Sequence, residues 1–339
     1  MRKLSSLTVF YVEFCQSKPE RRRAFTARVE HMPINRNPIL PPSEKRAETQ
    51  KAIQWRIVQP SHTMEDLILP LATHTQLQDV ISYFQNQKLL FEEWGLGERY
   101  AEQNGLAVNL YGPPGTGKTV AAHAIAAALQ LPMICVDYAE IESKYVGETS
   151  KNLSSLFQTA GEQNALIFFD EADALLSKRV TNMTSATDVS VNQTRSVLLN
   201  LLNGYRGVIL FATNFIQNYD AAFLRRIRYH VQFYLPDAPL REALWRMYIP
   251  EKMPCEVDHA SLAEKYDGIS GSDISNAVFS AAVRAARDGD SIVAQQRFED
   301  AIQSCLDVKR ANSGGNVTVT KRVLSNEEAN QLNLTEVEG

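Results

Sequence analysis

Gly112-Pro113-Pro114-Gly115-Thr116-Gly117-Lys118-Thr119 fits the pattern G-x-x-x-x-G-K-[ST] at every fixed position, and the chemistry of that pattern decides the fold. Glycines at such a turn let backbone N–H groups close around phosphate oxygens, where a Cβ would intrude. Lys118 is a mobile point charge within reach of β- and γ-phosphates. The Thr119 hydroxyl is placed for Mg²⁺. The flanks agree. Leu106 to Tyr111 is a short apolar run that reads as a buried strand, and Val120 to Leu129 is rich in strong helix formers. Strand, glycine loop and helix together put an anion at a helix N-terminus, where free N–H groups and the dipole favour it. Residues Gly112–Val120 are therefore the expected cradle of a nucleoside triphosphate.

Working outward, Leu166-Ile167-Phe168-Phe169-Asp170-Glu171 is a second apolar strand whose two carboxylates emerge at its C-terminal end, where ligands bind in open α/β sheets. Asp170 is expected to hold Mg²⁺ with Thr119, and Glu171 to polarise an attacking water as general base. Val208 to Asn214 is a third strand ending in a polar residue. Asn214 either orients that water or contacts the γ-phosphate, with a helix or turn cap as the alternative. A dozen residues further, Arg225-Arg226-Ile227-Arg228 concentrates guanidinium groups able to neutralise transition-state charge in phosphoryl transfer. A solvated patch is the alternative reading of the same run.

Strand patterns at 106–111, 133–137, 165–170, 207–213 and 229–235 alternate with helical ones at 118–130, 149–161 and 192–203. That alternation predicts an α/β fold with a mostly parallel sheet and helices on both faces. Helical spacing also begins at Leu77, and a folded domain is expected to start near Met64. From Pro239 only helical patterns follow (239–249, 258–266, 271–287, 294–306), so a small all-α subdomain is expected. The division is 1–60, a basic N-terminal segment with a Pro-rich linker; 61–236, the large α/β part; 237–310, a helical lid; and 311–339, a polar flexible tail.

Composition narrows the class. The 339 residues are 44% hydrophobic and 22% charged, with a formal net charge of -4, so no whole-chain field draws the protein onto nucleic acid. Four widely spaced cysteines, with no CxxC or Cys/His cluster, suggest neither zinc site nor disulfide framework and point to a reduced, cytoplasmic protein. No apolar stretch is long enough to span a bilayer, and no signal peptide is recognisable.

With these motifs in hand, the chain resembles the AAA ATPases, especially bacterial single-ring members, over roughly residues 64–308. The resemblance implies an ATP- and Mg²⁺-dependent P-loop ATPase. Asp170 and Glu171 match the family's second nucleotide motif, Asn214 its first sensor, and Arg225 and Arg226 its arginine fingers, in the paired-arginine form of the katanin and spastin group. Arg228 is the alternative finger. In the family these arginines reach the nucleotide of a neighbouring subunit, so a homo-oligomeric ring, usually a hexamer, is implied. Gly268-Ile269-Ser270-Gly271-Ser272-Asp273-Ile274 matches G-x-S-G-x-D-[IL], which places Gly271 and Ser272 against the nucleotide. Lys144-Tyr145-Val146-Gly147 resembles the first pore loop, and 178–188 a second. Physically, Tyr145 offers a large amphipathic surface with little rotamer entropy to lose, Gly147 lets the loop swing, and Lys144 adds a cation. The expected task is unfolding, threading or disassembling a protein partner, directly or through an adaptor. A ring acting on nucleic acid and a slow nucleotide-dependent switch or scaffold are the alternatives. H-E-x-x-H does not occur, so any proteolysis would need a separate protease.

Overall fold

The computed structural model describes residues 53–100, 105–137, 141, 148–177, 186–214 and 219–312. Six strands form one sheet in the order β1-β3-β4-β5-β2-β6. They are β1 (Ile57–Val58), β2 (Leu106–Tyr111), β3 (Met133–Val136), β4 (Leu166–Phe169), β5 (Val208–Thr213) and β6 (Tyr229–Gln232). All neighbours run parallel except β1, which pairs antiparallel with β3. Parallel strands buried on both faces read as unbroken apolar runs, which is why β4 and β5 show no alternation in sequence.

The alternation is present in space. Leu166 and Phe168 of β4, with Leu110 and Leu210, turn toward α1 (Leu71–Gln85) and α2 (Lys118–Ala128), where Leu77, Val80, Ala121 and Ile125 are buried. Ile167 and Phe169, with Phe211, turn to the other face, where Leu153, Leu156 and Phe157 of α3 (Glu148–Glu162) and Leu198 of α4 (Ala186–Gly204) cover them. Phe169 and Phe211 stack with ring centroids 5.2 Å apart. Burying one such side chain contributes about 1.5–3 kcal/mol, so the two clusters hold the central strands rigid beneath the glycine loop.

After β6 come α5 (Ala238–Tyr248), α6 (His259–Lys265), α7 (Gly271–Asp288) and α8 (Gln295–Asn312), packed around a third cluster containing Trp245, Ile274, Ala281 and Phe298. Local chemistry sets their ends. Asp237 and Asp258 cap α5 and α6 through their carboxylates. Ser270 and Asp273 make a reciprocal capping box on α7.

Three expectations change. The folded region begins before Met64: Trp55 is buried against α3, donating from Nε1 to Ser155 Oγ at 3.4 Å, and Ile57–Val58 forms β1. A two-residue strand carries no readable period, so proline-rich surroundings hid it. The helical part is not purely α, because Cys255–Glu256 (β7) pairs in parallel with Val293–Ala294 (β8). Finally, α8 runs to Asn312 rather than 306, and Lys309 near its end binds Asp273. Residues 1–52 and 313–339, together with Lys144, Tyr145, Val146 and Gly147, lie outside the described residues. So do residues 178–185 of the second candidate pore loop; its last three residues, Ala186 to Asp188, belong to α4.

Candidate functional site

The chain leaves β2 at Tyr111, turns through the glycine loop and enters α2 at Lys118. A cavity of ≈ 440 Å³ opens above this loop, lined by Pro114, Gly115, Thr116, Gly117, Lys118, Thr119, Val120, Asp170, Glu171, Asn214, Gly271 and Ser272. Thus loop, strand ends and lid helix converge on one volume, at the C-terminal edge of the parallel strands. Gly112 and Pro113 contribute differently: their carbonyls accept from Lys118 Nζ at 2.8 and 2.9 Å. The third donor of the same ammonium goes to Asn214 Oδ1 at 3.0 Å. Burial pushes the Lys118 pKa down, opposed by the charges of Asp170 and Asp173. A cation held by neutral acceptors beside an open cavity is poised for an anionic partner.

Thr119 Oγ1 donates to Asp170 Oδ2 at 2.9 Å, and the Glu171 N–H donates to Asp170 Oδ1 at 2.9 Å. The hydroxyl and carboxylate that would share a Mg²⁺ are therefore already adjacent, as the hard-oxygen preference of that ion requires. Glu171 is exposed, in the left-handed region at φ 49°, which costs a non-glycine residue about 1–2 kcal/mol. Its position at the mouth of the cavity accounts for where that strain is held.

Gly115 shows most directly that the loop is shaped for something to approach. It has φ 75°, and a Cβ there would fall 2.0 Å from Ser272 Oγ and 2.6 Å from Ser270 Oγ. Only glycine lets the first turn of α7 close on the loop. The two are joined by the Ser272 N–H donating to the Gly115 carbonyl at 3.2 Å.

Arg225 and Arg226 are not part of this cavity. Both are exposed, at the end of the helical turn Ala221–Leu224. With Arg206 and Arg228 they line a second cavity of ≈ 700 Å³ around Gly105 and Leu106, at the start of β2. The six residues of β2 separate the two cavities by about 20 Å at ~3.3 Å per residue. Arg226 is held by Asn203 Oδ1 at 2.7 Å and the Ala222 carbonyl at 3.0 Å. Arg228 lies over the Tyr83 ring, 5.0 Å from its centroid.

Sequence reasoning missed several participants. Asp173 accepts from Thr213 Oγ1 and from the Asn214 N–H, the latter at 3.3 Å, fixing the end of β5. The D-E-A-D spacing after β4 was the available signal. Leu67 to Pro70, Leu240, Leu244 and Tyr248 form an apolar wall of the first cavity. Buried Arg241 ties the Pro236 carbonyl (2.7 Å) to the Ala263 carbonyl (2.9 Å) and Asp267 (2.8 Å), bracing the connection between β6 and the lid. Nothing in local sequence distinguishes Arg241 from a surface arginine.

The profile of the ATPase family associated with various cellular activities (AAA) matches residues 108–237, and that of the AAA+ lid domain matches 256–300. The 26S proteasome regulatory subunit 8 homolog of Schizosaccharomyces pombe is 33% identical over 239 residues, 68% of this chain and 58% of that protein. A proteasome-activating nucleotidase of Saccharolobus islandicus is 33% identical over 245 residues, 70% of this chain and 60% of its own length. The ATP-dependent zinc metalloprotease FtsH of Parabacteroides distasonis is 28% identical over 284 residues, 80% of this chain and 40% of that protein. The chain thus spans less than two thirds of each of these relatives. Among the described residues no helix is long and apolar enough to cross a membrane.

Proposed function

Because this chain belongs to the AAA ATPases, we propose that it is a ring-forming ATP hydrolase that remodels, threads or disassembles a protein partner. The observation that carries the reading is the division of the chemistry between two ends of one sheet. Lys118, Thr119, Asp170, Glu171 and Asn214 converge on the first cavity, whereas Arg225 and Arg226 stand exposed beside the second. A site split in this way is completed by the arginines of an adjacent copy, and closure of such head-to-tail contacts gives a ring, here taken as a hexamer.

Within the first cavity Lys118 holds the terminal phosphates, Glu171 polarises water and Asn214 orients it. Thr119 and Asp170 would hold Mg²⁺, which when bound neutralises charge on the phosphates. Gly271 and Ser272 carry the lid onto the nucleotide. The large α/β part runs from Ile53 to about residue 236, the lid from 237 to Asn312. Lys144 to Gly147 grip an extended polypeptide in the pore, and the basic N-terminal segment selects the substrate or its adaptor. The relatives' names, a proteasome regulatory subunit and a proteasome-activating nucleotidase, support protein rather than nucleic acid as the substrate.

The test is a pull-down from cell extract with the Glu171→Gln variant in the presence of ATP, compared with the same variant without nucleotide. Nucleotide-dependent recovery of one protein that is released by wild-type hydrolysis supports remodelling. Recovery of nucleic acid in its place, or of no partner at all, overturns it in favour of a nucleic-acid motor or a switch.

A further inference from the structure

Arg206 lies in the turn between α4 and β5 and lines the second cavity together with Arg225, Arg226 and Arg228. Among the described residues no Asp or Glu lines that cavity. Four guanidinium groups therefore share one volume with no carboxylate of the described chain beside them. Each is always charged and can grip phosphate through two parallel hydrogen bonds. An anion that enters from outside relieves their mutual repulsion.

The turn that carries Arg206 is braced. The Tyr205 ring packs edge-on against Phe157 with centroids 5.0 Å apart, and its hydroxyl donates to the Ala165 carbonyl at 3.3 Å. A Cβ on Gly207 would fall 2.5 Å from that ring, and one on Gly105 would fall 2.1 Å from the Tyr205 carbonyl oxygen. These two glycines let the starts of β2 and β5 close on the turn, where the Leu106 N–H donates to the Gly207 carbonyl at 3.1 Å. Asn203, near the end of α4, fastens Arg226, so one connection both holds Arg226 and carries Arg206. The Arg206 side chain itself is exposed, and its guanidinium makes no hydrogen bond to another described residue.

We propose that Arg206 contacts the triphosphate bound by the neighbouring subunit and holds it there, without accelerating its cleavage. The inference rests on the reading that Arg225 and Arg226 serve the neighbouring subunit's nucleotide. A guanidinium fastened in advance, as Arg226 is, favours charge that develops in the transition state. Arg206 has a braced backbone and an unfastened head, so it follows charge already present on the phosphates. It then stabilises the bound and the reacting nucleotide equally, and such uniform binding lowers KM while leaving kcat alone.

The experiment uses the full chain, at protein concentrations where activity per subunit is constant. Arg206→Ala should raise the KM for ATP about tenfold or more, the size of one charge-assisted hydrogen bond, with kcat within about twofold of wild type. Arg206→Lys, which keeps the charge but loses the fork, should fall between the two. Lys118→Ala subunits, defective at their own loop but with intact arginines, are then added in excess to Arg206→Ala subunits. The KM of the mixture should return to the wild-type value, because the working sites now face an intact Arg206. An unchanged KM in Arg206→Ala, a loss confined to kcat, or a raised KM that added Lys118→Ala subunits do not repair overturns the proposal. Arg226→Ala is the control: if Lys118→Ala subunits do not restore its kcat, the trans reading itself has failed, whereas its repair without that of Arg206→Ala rejects the role of Arg206 alone.

Discussion

The backbone N–H of Ser272 donates to the Gly115 carbonyl at 3.2 Å, so the phosphate loop and the first turn of the lid helix α7 share a hydrogen bond. The contact is possible only because Gly115 has no side chain. Gly115→Ala places a methyl 2.0 Å from Ser272 Oγ on a backbone with φ 75°. Left-handed strain of about 1–2 kcal/mol and overpacking of about 1–3 kcal/mol predict a loss of roughly 2–5 kcal/mol. Denaturant unfolding should show it, along with much weaker ATP binding. Wild-type stability would mean that the lid does not close on the loop as described.

The same lid turn gives a pH dependence. Burial opposes charge on Asp273, but hydrogen bonds from Lys309 and Ser270 and the Lys309 charge outweigh it, and the carboxyl titrates below its usual 3.8. A carboxyl whose folded pKa lies below its unfolded value stabilises the fold above about pH 4, since the unfolded chain takes up the proton first. That contribution fades as the pH falls from 3.8 through the folded value. Asp273→Asn should be less stable at pH 7 by about 1–3 kcal/mol and should show a shallower acid decline, measured as the denaturation midpoint from pH 7 to pH 3. Parallel curves for variant and wild type would remove Asp273 as the cause.

Much of this was legible in the sequence because the informative residues are local. The loop Gly112–Thr119 fixes strand, turn and helix in one stretch, and Asp170, Glu171 and Asn214 each end an apolar run. Partnerships across long separations were not legible. Lys118 meets Asn214 across 96 positions, and a sequence shows both but not the bond. Trp55 and β1 were hidden by proline-rich surroundings and by the shortness of the strand. His230 and Asn109 look like isolated polar interruptions of two strands, and only the register of β2 against β6 makes them neighbours.

Lys118 is a buried cation whose acceptors are neutral, so its charge is costly until a phosphate arrives. Lys118→Met removes that charge and keeps the aliphatic stem. Without nucleotide the variant should be at least as stable as wild type, because the freed carbonyls of Gly112 and Pro113 border a cavity that water reaches. Its ATP affinity should fall by about 100-fold or more, the size of one charge-assisted hydrogen bond of ~3 kcal/mol. Calorimetric titration and thermal unfolding on one sample separate the two effects. Retained affinity would contradict the assignment of the loop.

Glu171 occupies a left-handed backbone position at the cavity mouth, where its carboxylate is free to meet water. Glu171→Gln keeps size and hydrogen-bonding capacity but not basicity. Turnover should drop by about 10²–10⁴-fold, the usual contribution of a general base, with ATP binding intact. Glu171→Gly should lose turnover equally while gaining stability from relief of the strain at φ 49°. If turnover in Glu171→Gln is unchanged, another group is the base.

Arg225 and Arg226 differ in how they are held, and that difference predicts different phenotypes. Arg226 is fastened by Asn203 and the Ala222 carbonyl, so its guanidinium is fixed before any neighbour docks. The Arg225 guanidinium makes no hydrogen bond to another described residue, its backbone N–H alone donating to the Ala221 carbonyl, and must be ordered by the partner. Preorganised charge is the more effective at a transition state, so Arg226→Ala should cost more in kcat, toward the ~10³–10⁵-fold range of a lost arginine finger. Arg225→Ala should chiefly weaken assembly, seen as a higher protein concentration at half-maximal activity. Asn203→Ala frees Arg226 without removing it and should fall between wild type and Arg226→Ala. Equal kcat losses for Arg225→Ala and Arg226→Ala, with Asn203→Ala silent, would show that fastening within the subunit does not select the arginine that acts.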